Sequence, residues 1–253
     1  MSPQPPLDLH AHVHPDIDPD ELLRLGVVFA ATRSLDEADT ATKRADEHTV
    51  WGVGCHPGLV GAHKAFDAER FASLITRTAF VSEIGLDGES RVPLATQQAT
   101  LDAILIVLQR KPRIASLHSY KASDEVLDAL ERRPIRGAIL HWWLGNELQT
   151  RRAVELGCFF SINPSSVRRT NLLDLIPLDR LLTETDHPFG DRGSGASARP
   201  GLVTTVEEGL ARRHGTSAST IRATIWRNLA QLVSVTGCAQ LLPRTVRRQL
   251  IAS

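Results

Sequence analysis

Six residues of metal-ligand type close separate apolar runs, in the chain order His10 and His12, Glu83, His118, His141, Asp186. Only an architecture that gathers strand ends can bring such a set to one point. In D-L-H-A-H, residues two apart on an extended strand point the same way. Asp8, His10 and His12 are therefore expected on one face and Leu7, Leu9 and Ala11 on the other. Four further segments repeat an apolar run ending in one ligand-type residue: F-V-S-E-I-G, R-I-A-S-L-H, A-I-L-H-W-W and R-L-L-T-E-T-D. A parallel barrel would collect those ends.

Apolar runs near residues 7 to 12, 26 to 32, 50 to 54, 79 to 84, 113 to 118, 136 to 141, 157 to 162 and 180 to 184 make eight candidate strands. Between them lie amphipathic stretches that read as helices, among them D-P-D-E-L-L-R-L, S-L-D-E-A-D-T-A-T-K-R-A, D-A-E-R-F-A-S-L-I and P-L-A-T-Q-Q-A-T-L-D-A-I-L-I-V-L-Q-R. Ser34 and Asp67 fit as N-caps, and Glu37 fits a capping box. The alternation predicts an α/β fold, a TIM-like (β/α)8 barrel forming a single domain over residues 1–253. Sites in such barrels are built at the C-terminal ends of the strands, where all six candidate ligands fall. After Phe189, G-D-R-G-S-G-A-S-A-R-P-G reads as a mobile loop near the mouth. Helices follow over Leu202 to Arg213 and Ala218 to Val235, and the basic tail T-V-R-R-Q-L-I-A-S reads as a solvated end.

Composition narrows the function classes. Hydrophobic residues make up 42% and charged residues 23% of 253, enough for a full-sized core. The formal net charge is +0, so no broad basic face for long nucleic acid is required and any phosphate binding is local. The start M-S-P-Q-P-P has neither a basic n-region nor an apolar h-region, and no apolar run approaches about 18 residues. The expectation is a cytoplasmic protein with no membrane partner. Cys55, Cys158 and Cys238 lie far apart without CxxC spacing, which predicts reduced thiols and no structural zinc site.

Four imidazoles and two carboxylates suit a binuclear centre: His10 and His12 on one divalent ion, His118 and His141 on the other, Glu83 bridging. Asp186 would join the first ion and orient or deprotonate the attacking water. Two ions about 3.5 to 4 Å apart can stabilise the attacking and leaving oxygens of an in-line displacement, which suits phosphodiester hydrolysis.

The ordered pieces D-L-H-A-H-V, G-C-H-P, E-I-G-L-D, L-H-S, the histidine of L-H-W-W and T-E-T-D-H-P resemble the TatD family of metal-dependent deoxyribonucleases, in the amidohydrolase superfamily. Gln97 or Gln98, and Asn228 in W-R-N-L-A, extend the likeness over nearly the whole chain. The resemblance implies a TIM-like barrel, two divalent metal ions (zinc, manganese or magnesium) and 3′ to 5′ exonuclease action on single-stranded or frayed DNA ends. It also implies that the six residues are ligands, with Asp186 and Glu83 catalytic. Glu83 separates the chain from relatives that use a carboxylated lysine on the fourth strand. Tyr120 stands where the family has arginine, and His187 where it commonly has serine. Gly88 and the H-W-W tryptophans look similar to a TatD-like branch of Qat-type anti-phage defence loci, which implies protein partners in a defence complex.

Other residues carry competing readings. His56, ending the third predicted strand, would point into the mouth and either donate to a substrate phosphate or simply hold the loop; Tyr120 and Trp142 are further candidate substrate contacts. One of Trp142 and Trp143 is expected in the core and one at the rim, where an indole can stack a base. Arg168, Arg192 and Arg199 lie in mouth-side segments, against a default of solvation. Asp8 reads equally as a partner fixing an imidazole tautomer or as a floor residue. His14 reads as a loop histidine, His48, His63 and His214 as surface residues, and Cys55 as a small packed residue. The alternatives to a nuclease are C–N or ester hydrolysis on a small substrate and a non-catalytic subunit of a defence complex.

Overall fold

The computed structural model describes residues 4–251. Eight parallel strands form two runs of neighbours. The first is β1 (Leu7–Ala11), β2 (Val27–Ala30) and β3 (Thr49–Trp51). The second is β4 (Phe80–Gly85), β5 (Ile114–His118), β6 (Ala138–His141), β7 (Phe159–Ile162) and β8 (Leu181–Thr183). Backbone hydrogen bonds join the runs at both ends. Beyond β3, Val53 N–H donates to Phe80 O and Ser82 N–H donates to Val53 O, both at 3.2 Å. On the other side Asp186 N–H donates to His10 O at 2.8 Å and His12 N–H to His187 O at 2.9 Å. The eight predicted strands are therefore all present, as one closed ring.

The outer layer comprises α1 (Pro19–Leu23), α2 (Leu35–Ala41), α3 (Val60–Lys64), α4 (Ala68–Leu74), α5 (Leu94–Arg110), α6 (Ser123–Arg132), α7 (Glu147–Glu155), α8 (Thr170–Leu173) and α9 (Thr204–Arg213). Local chemistry sets their starts. Asp67 Oδ1 accepts from Arg70 N–H, as the cap pattern predicts. Ser34 Oγ accepts from Glu37 N–H at 3.2 Å, but the Glu37 carboxylate reaches back to Arg33 N–H at 2.8 Å rather than to Ser34. The complete reciprocal box lies at Asn146 and Gln149.

The long α10 (Ala218–Thr236) runs beneath the strand N-termini. Its Trp226 Nε1 donates to Pro5 O before β1, and Asn228 Nδ2 donates to Leu178 O and Leu181 O at the start of β8. These bonds satisfy carbonyls at the barrel floor. The predicted solvated tail is instead mostly α11 (Arg244–Ile251), with Val246 fully buried against the core and only Ala252 and Ser253 outside the described residues. Three arginines, of which Arg244 and Arg248 are exposed, masked an apolar stripe of Val246 and Leu250, four apart. The glycine-rich loop read as mobile holds a 3-10 segment, Arg192–Ser197. Ser165 Oγ binds Gly190 O at its start, and Gly201 N–H binds Asp8 Oδ2 at its end. No helix among the described residues is long and apolar enough to cross a membrane.

Candidate metal centre

All six predicted ligands meet at the C-terminal mouth of the barrel, but strict alternation does not put them there. β1 shifts register against β2 between Asp8 and Ala11: Asp8 pairs with Val28, Ala11 with Ala30. Val28, Ala30 and Ala11 pack together with Leu22 of α1, outside the barrel. Asp8 therefore does not share the face of His10 and His12. Its carboxylate accepts from Thr185 N–H, Thr185 Oγ1, Gly201 N–H and, at 3.3 Å, His10 N–H, and it touches no imidazole. Of the two readings, the structural one holds. β4 shifts likewise between Val81 and Ile84, around Glu83. Bulges beside sites re-aim side chains. Both carboxylates also have left-handed backbone, Glu83 at φ 47° and Asp186 at φ 45°, as does Trp142, next to His141, at φ 39°. Such conformations cost non-glycine residues of order 1–3 kcal/mol and cluster at functional sites.

Glu83, 3% exposed, lies at the centre. Its Oε2 is 3.1 Å from His12 Nε2 and 3.9 Å from His10 Nε2; its Oε1 is 3.3 Å from His56 Nε2, 3.6 Å from His118 Nδ1 and 3.9 Å from His141 Nε2. Asp186 Oδ1 is 3.5 Å from His12 Nε2 and 4.0 Å from His10 Nε2. The rings of His10 and His141 stack at 4.1 Å and 8°. Donor atoms fall into three compact groups: His10 with His12 and Glu83, His10 with His141 and Asp186, and His56 with Glu83 and His118. The geometry differs from the expected pairing, since His141 groups with His10 and Asp186, and His56 stands beside His118.

Buried polar atoms in native proteins are almost always hydrogen-bonded. Here His10 Nε2, Glu83 Oε2, His118 Nε2, both ring nitrogens of His141 and Asp186 Oδ1 are buried without a hydrogen-bond partner. An array of imidazole nitrogens and carboxylate oxygens aimed at one another fits divalent cations and little else.

Charge states follow from the packing. Burial raises Glu83, but His12, His56 and His118 outweigh it and hold the carboxyl well below its usual range. Burial pulls His10 down to about 3 and holds His141 well below its usual value, so both rings are neutral. Burial opposes charge on His118 too, yet Asp87 and Glu83 carry it up to about 9. Burial likewise opposes charge on His12, and Glu83 and Asp186 raise it. Asp186 itself is raised by burial against the pull of His12.

Three supporting residues were not singled out from the sequence. Ser116 Oγ lies 2.7 Å from His10 Nδ1 and orients that ring. Glu184, fully buried, accepts from Trp142 N–H at 2.9 Å, from Ser161 Oγ and from Asn163 Nδ2; burial, then neighbouring Asp186, keeps its carboxyl well above the usual range. Asp87 Oδ2 is 3.7 Å from His118 Nε2. The available signal was period two: Ser116 precedes His118, and Glu184 precedes Asp186, by two residues. Gln97, not Gln98, is the buried glutamine, exchanging bonds with Asp87 N–H and O.

A cavity of about 490 Å³ opens over the cluster, lined by His56, Tyr120 and Trp142 among others. Trp143 is the core tryptophan, its Nε1 bonded to Thr150 Oγ1. Of the three arginines, Arg192 lines this cavity, whereas Arg168 lines a separate pocket with Arg212. His14 is exposed and apart from the cluster. His63 is not a surface residue but half-buried, its Nδ1 2.9 Å from Thr100 Oγ1; His48 is also half-buried, and His214 is exposed. Cys55 is buried, with its thiol pushed up to about 12 by burial, so it is no nucleophile.

The fold and chain agree with known proteins. A Klebsiella pneumoniae protein named 3′-5′ ssDNA/RNA exonuclease TatD is 28% identical over 177 residues, 65% of this chain and 67% of its own. The human Deoxyribonuclease TATDN3 is 24% identical over 164 residues, 62% of this chain and 60% of its own. The crystal structure of a TatD homologue from Escherichia coli superposes with a TM-score of 0.78 at 24% identity, covering 89% of this chain and 97% of that one. A TatD family hydrolase from Entamoeba histolytica superposes at 0.72 with 15% identity, covering 92% and 99%. The family model for TatD related DNase matches residues 7–234, so the chain belongs to the TatD related DNase family, and with it to the hydrolases.

Proposed function

We propose that the protein is a cytoplasmic exonuclease that uses two divalent metal ions to remove nucleotides from single-stranded DNA ends in the 3′ to 5′ direction. The observation that carries this reading is the set of unpartnered buried nitrogens and oxygens around Glu83. The name of the Klebsiella relative supports the polarity and the single-stranded substrate. His10, His12, Glu83, His118, His141 and Asp186 would hold the ions, with His56 beside them as a hydrogen-bond donor. Divalent ions there would neutralise charge developing on the phosphoryl oxygens and lower the pKa of water.

The chain's own groups supply the rest. Asp186, its pKa raised by burial, is placed to accept the proton of the attacking water. Glu83 presents one oxygen to each set of imidazoles and keeps them in register. His56, half-buried and with Nδ1 tied to Gly58 N–H, directs Nε2 toward the cluster, where it can donate to a phosphate oxygen. Arg192 at the rim adds local positive charge to a chain with none in balance.

The placement in a Qat-type defence complex rests on Gly88 and the paired tryptophans. Gly88 has a local physical reason: a Cβ there would lie 2.2 Å from Lys121 O.

The test is digestion of 5′-labelled single-stranded DNA by metal-stripped protein resupplied with magnesium, manganese or zinc, beside Asp186→Asn. A metal-dependent ladder shortening from the 3′ end, absent in the variant, is expected. Metal binding without cleavage would sink the nuclease reading. It would favour a small-substrate C–N or ester hydrolase, which the zero net charge also fits.

A further inference from the structure

The cavity over the cluster has two unlike walls. One is the ligand set; the other is built from Tyr120, Trp142, Leu144 and Phe189. Tyr120, Leu144 and Phe189 are 37–39% exposed, so this wall leaves large apolar side chains in water beside a polar, ion-binding centre. Apolar surface concentrated at a site rather than scattered marks a binding face.

The wall is held in place. Trp142 donates its amide to Glu184 Oε1 and has left-handed backbone, which turns it out of the alternation that buries its neighbour Trp143. Tyr120 sits on a loop brought close by Gly88, whose N–H donates to Tyr120 O at 2.8 Å. Arg192 lies 5.4 Å from the Phe189 ring. Flat apolar groups, one cation and an adjacent site for a phosphodiester match the parts of one nucleotide.

We infer that this wall is a platform for an unpaired nucleobase, with Trp142 as the stacking surface and Tyr120 and Phe189 flanking it. The inference rests on the nuclease reading and adds how the substrate is chosen. Every base offers a π-face, so the platform tolerates any sequence, but a base still stacked within a duplex cannot reach it. Selection of single-stranded or frayed ends would then come from this wall, without a broad basic surface.

Intrinsic fluorescence reads the platform directly. Trp51, Trp143 and Trp226 are buried, whereas Trp142 is only partly so, and a stacked base quenches it. The probes are a short oligothymidylate with a cleavage-resistant phosphorothioate at its 3′-terminal linkage, and the same oligomer with an abasic tetrahydrofuran as its last residue. Titrated into the magnesium-loaded protein, the base-bearing oligomer should bind more tightly, about 5- to 150-fold, and quench. With affinity read instead from the fluorescence anisotropy of a 5′ dye on each oligomer, Trp142→Ala should remove that difference and Trp142→Phe restore most of it; Tyr120→Ala, at an exposed position, should reduce it. Equal affinity for both oligomers in the unaltered protein, or an undiminished difference in both alanine variants, would overturn the platform while leaving the nuclease reading intact. Failure to bind either oligomer would overturn both.

Discussion

Glu83 shows what one residue is asked to do here: a carboxylate 3% exposed faces five imidazoles from three further strand ends and the loop after β3. Its neighbours differ in how replaceable they are. Asp186→Asn keeps the size and removes the basic oxygen, so turnover should fall below detection while the circular-dichroism spectrum and melting profile stay close to those of the parent. Ser116→Ala removes the oxygen that orients His10 and should weaken metal affinity about 10- to 100-fold, read by competition with a chromophoric chelator. Asp8→Asn should leave metal affinity nearly unchanged but destabilise the fold by about 1–3 kcal/mol in urea titration, because an amide NH2 would face the Gly201 N–H that Oδ2 now accepts. A larger loss of metal affinity than of stability would contradict the assignment. The six ligands were legible because each closes an apolar run. Asp8 misled because its strand bulges two residues later, and nothing in D-L-H-A-H announces a bulge. The left-handed backbones of Glu83 and Asp186 were equally invisible, since glutamate rarely adopts that conformation and aspartate, though it tolerates it, does so at only a small minority of positions.

The elements divide into those whose pattern carries its own signal and those defined by what they touch. All eight strands were readable as apolar runs because a parallel barrel buries both faces of each strand, leaving no polar alternation to confuse the count. α11 was not readable: it offers few apolar positions, and only packing beneath α10 and β3 gives them a partner, with Thr245 Oγ1 donating to Glu47 O ahead of β3. If that packing holds the helix, Val246→Ala should cost about 2 kcal/mol in denaturant unfolding, from two lost methyl groups and the cavity they leave. An unchanged midpoint would return the tail to the solvated end that its arginines suggest.

At the scale of the whole molecule, the closed floor and the open mouth separate stability from chemistry, and the metal couples them again. Imidazoles bind metal only when neutral, so protons already on the cluster must leave. His10 and His141 are neutral at pH 7 and release none. His118, at about 9, is protonated in the metal-free protein, and His12 is raised in the same direction. Because the folded-state pKa of His118 lies above its ordinary 6.5, its charge stabilises the metal-free fold fully below pH 6.5, and that contribution is lost as the pH rises through about 9. Metal affinity moves the opposite way, rising about tenfold per pH unit for each proton displaced until His118 has titrated. Chelation should therefore lower the melting temperature at every pH, by the equivalent of about 2.7 kcal/mol where free metal stood at a hundred times its dissociation constant, and by more at pH 9 than at pH 7. Calorimetric metal titrations at pH 7 in two buffers of different ionisation enthalpy should show at least one proton released per cluster filled, shrinking toward zero above pH 9. Heats independent of the buffer at pH 7 would mean that Asp87 and Glu83 do not hold a proton on His118, and that its nitrogen already stands free for metal.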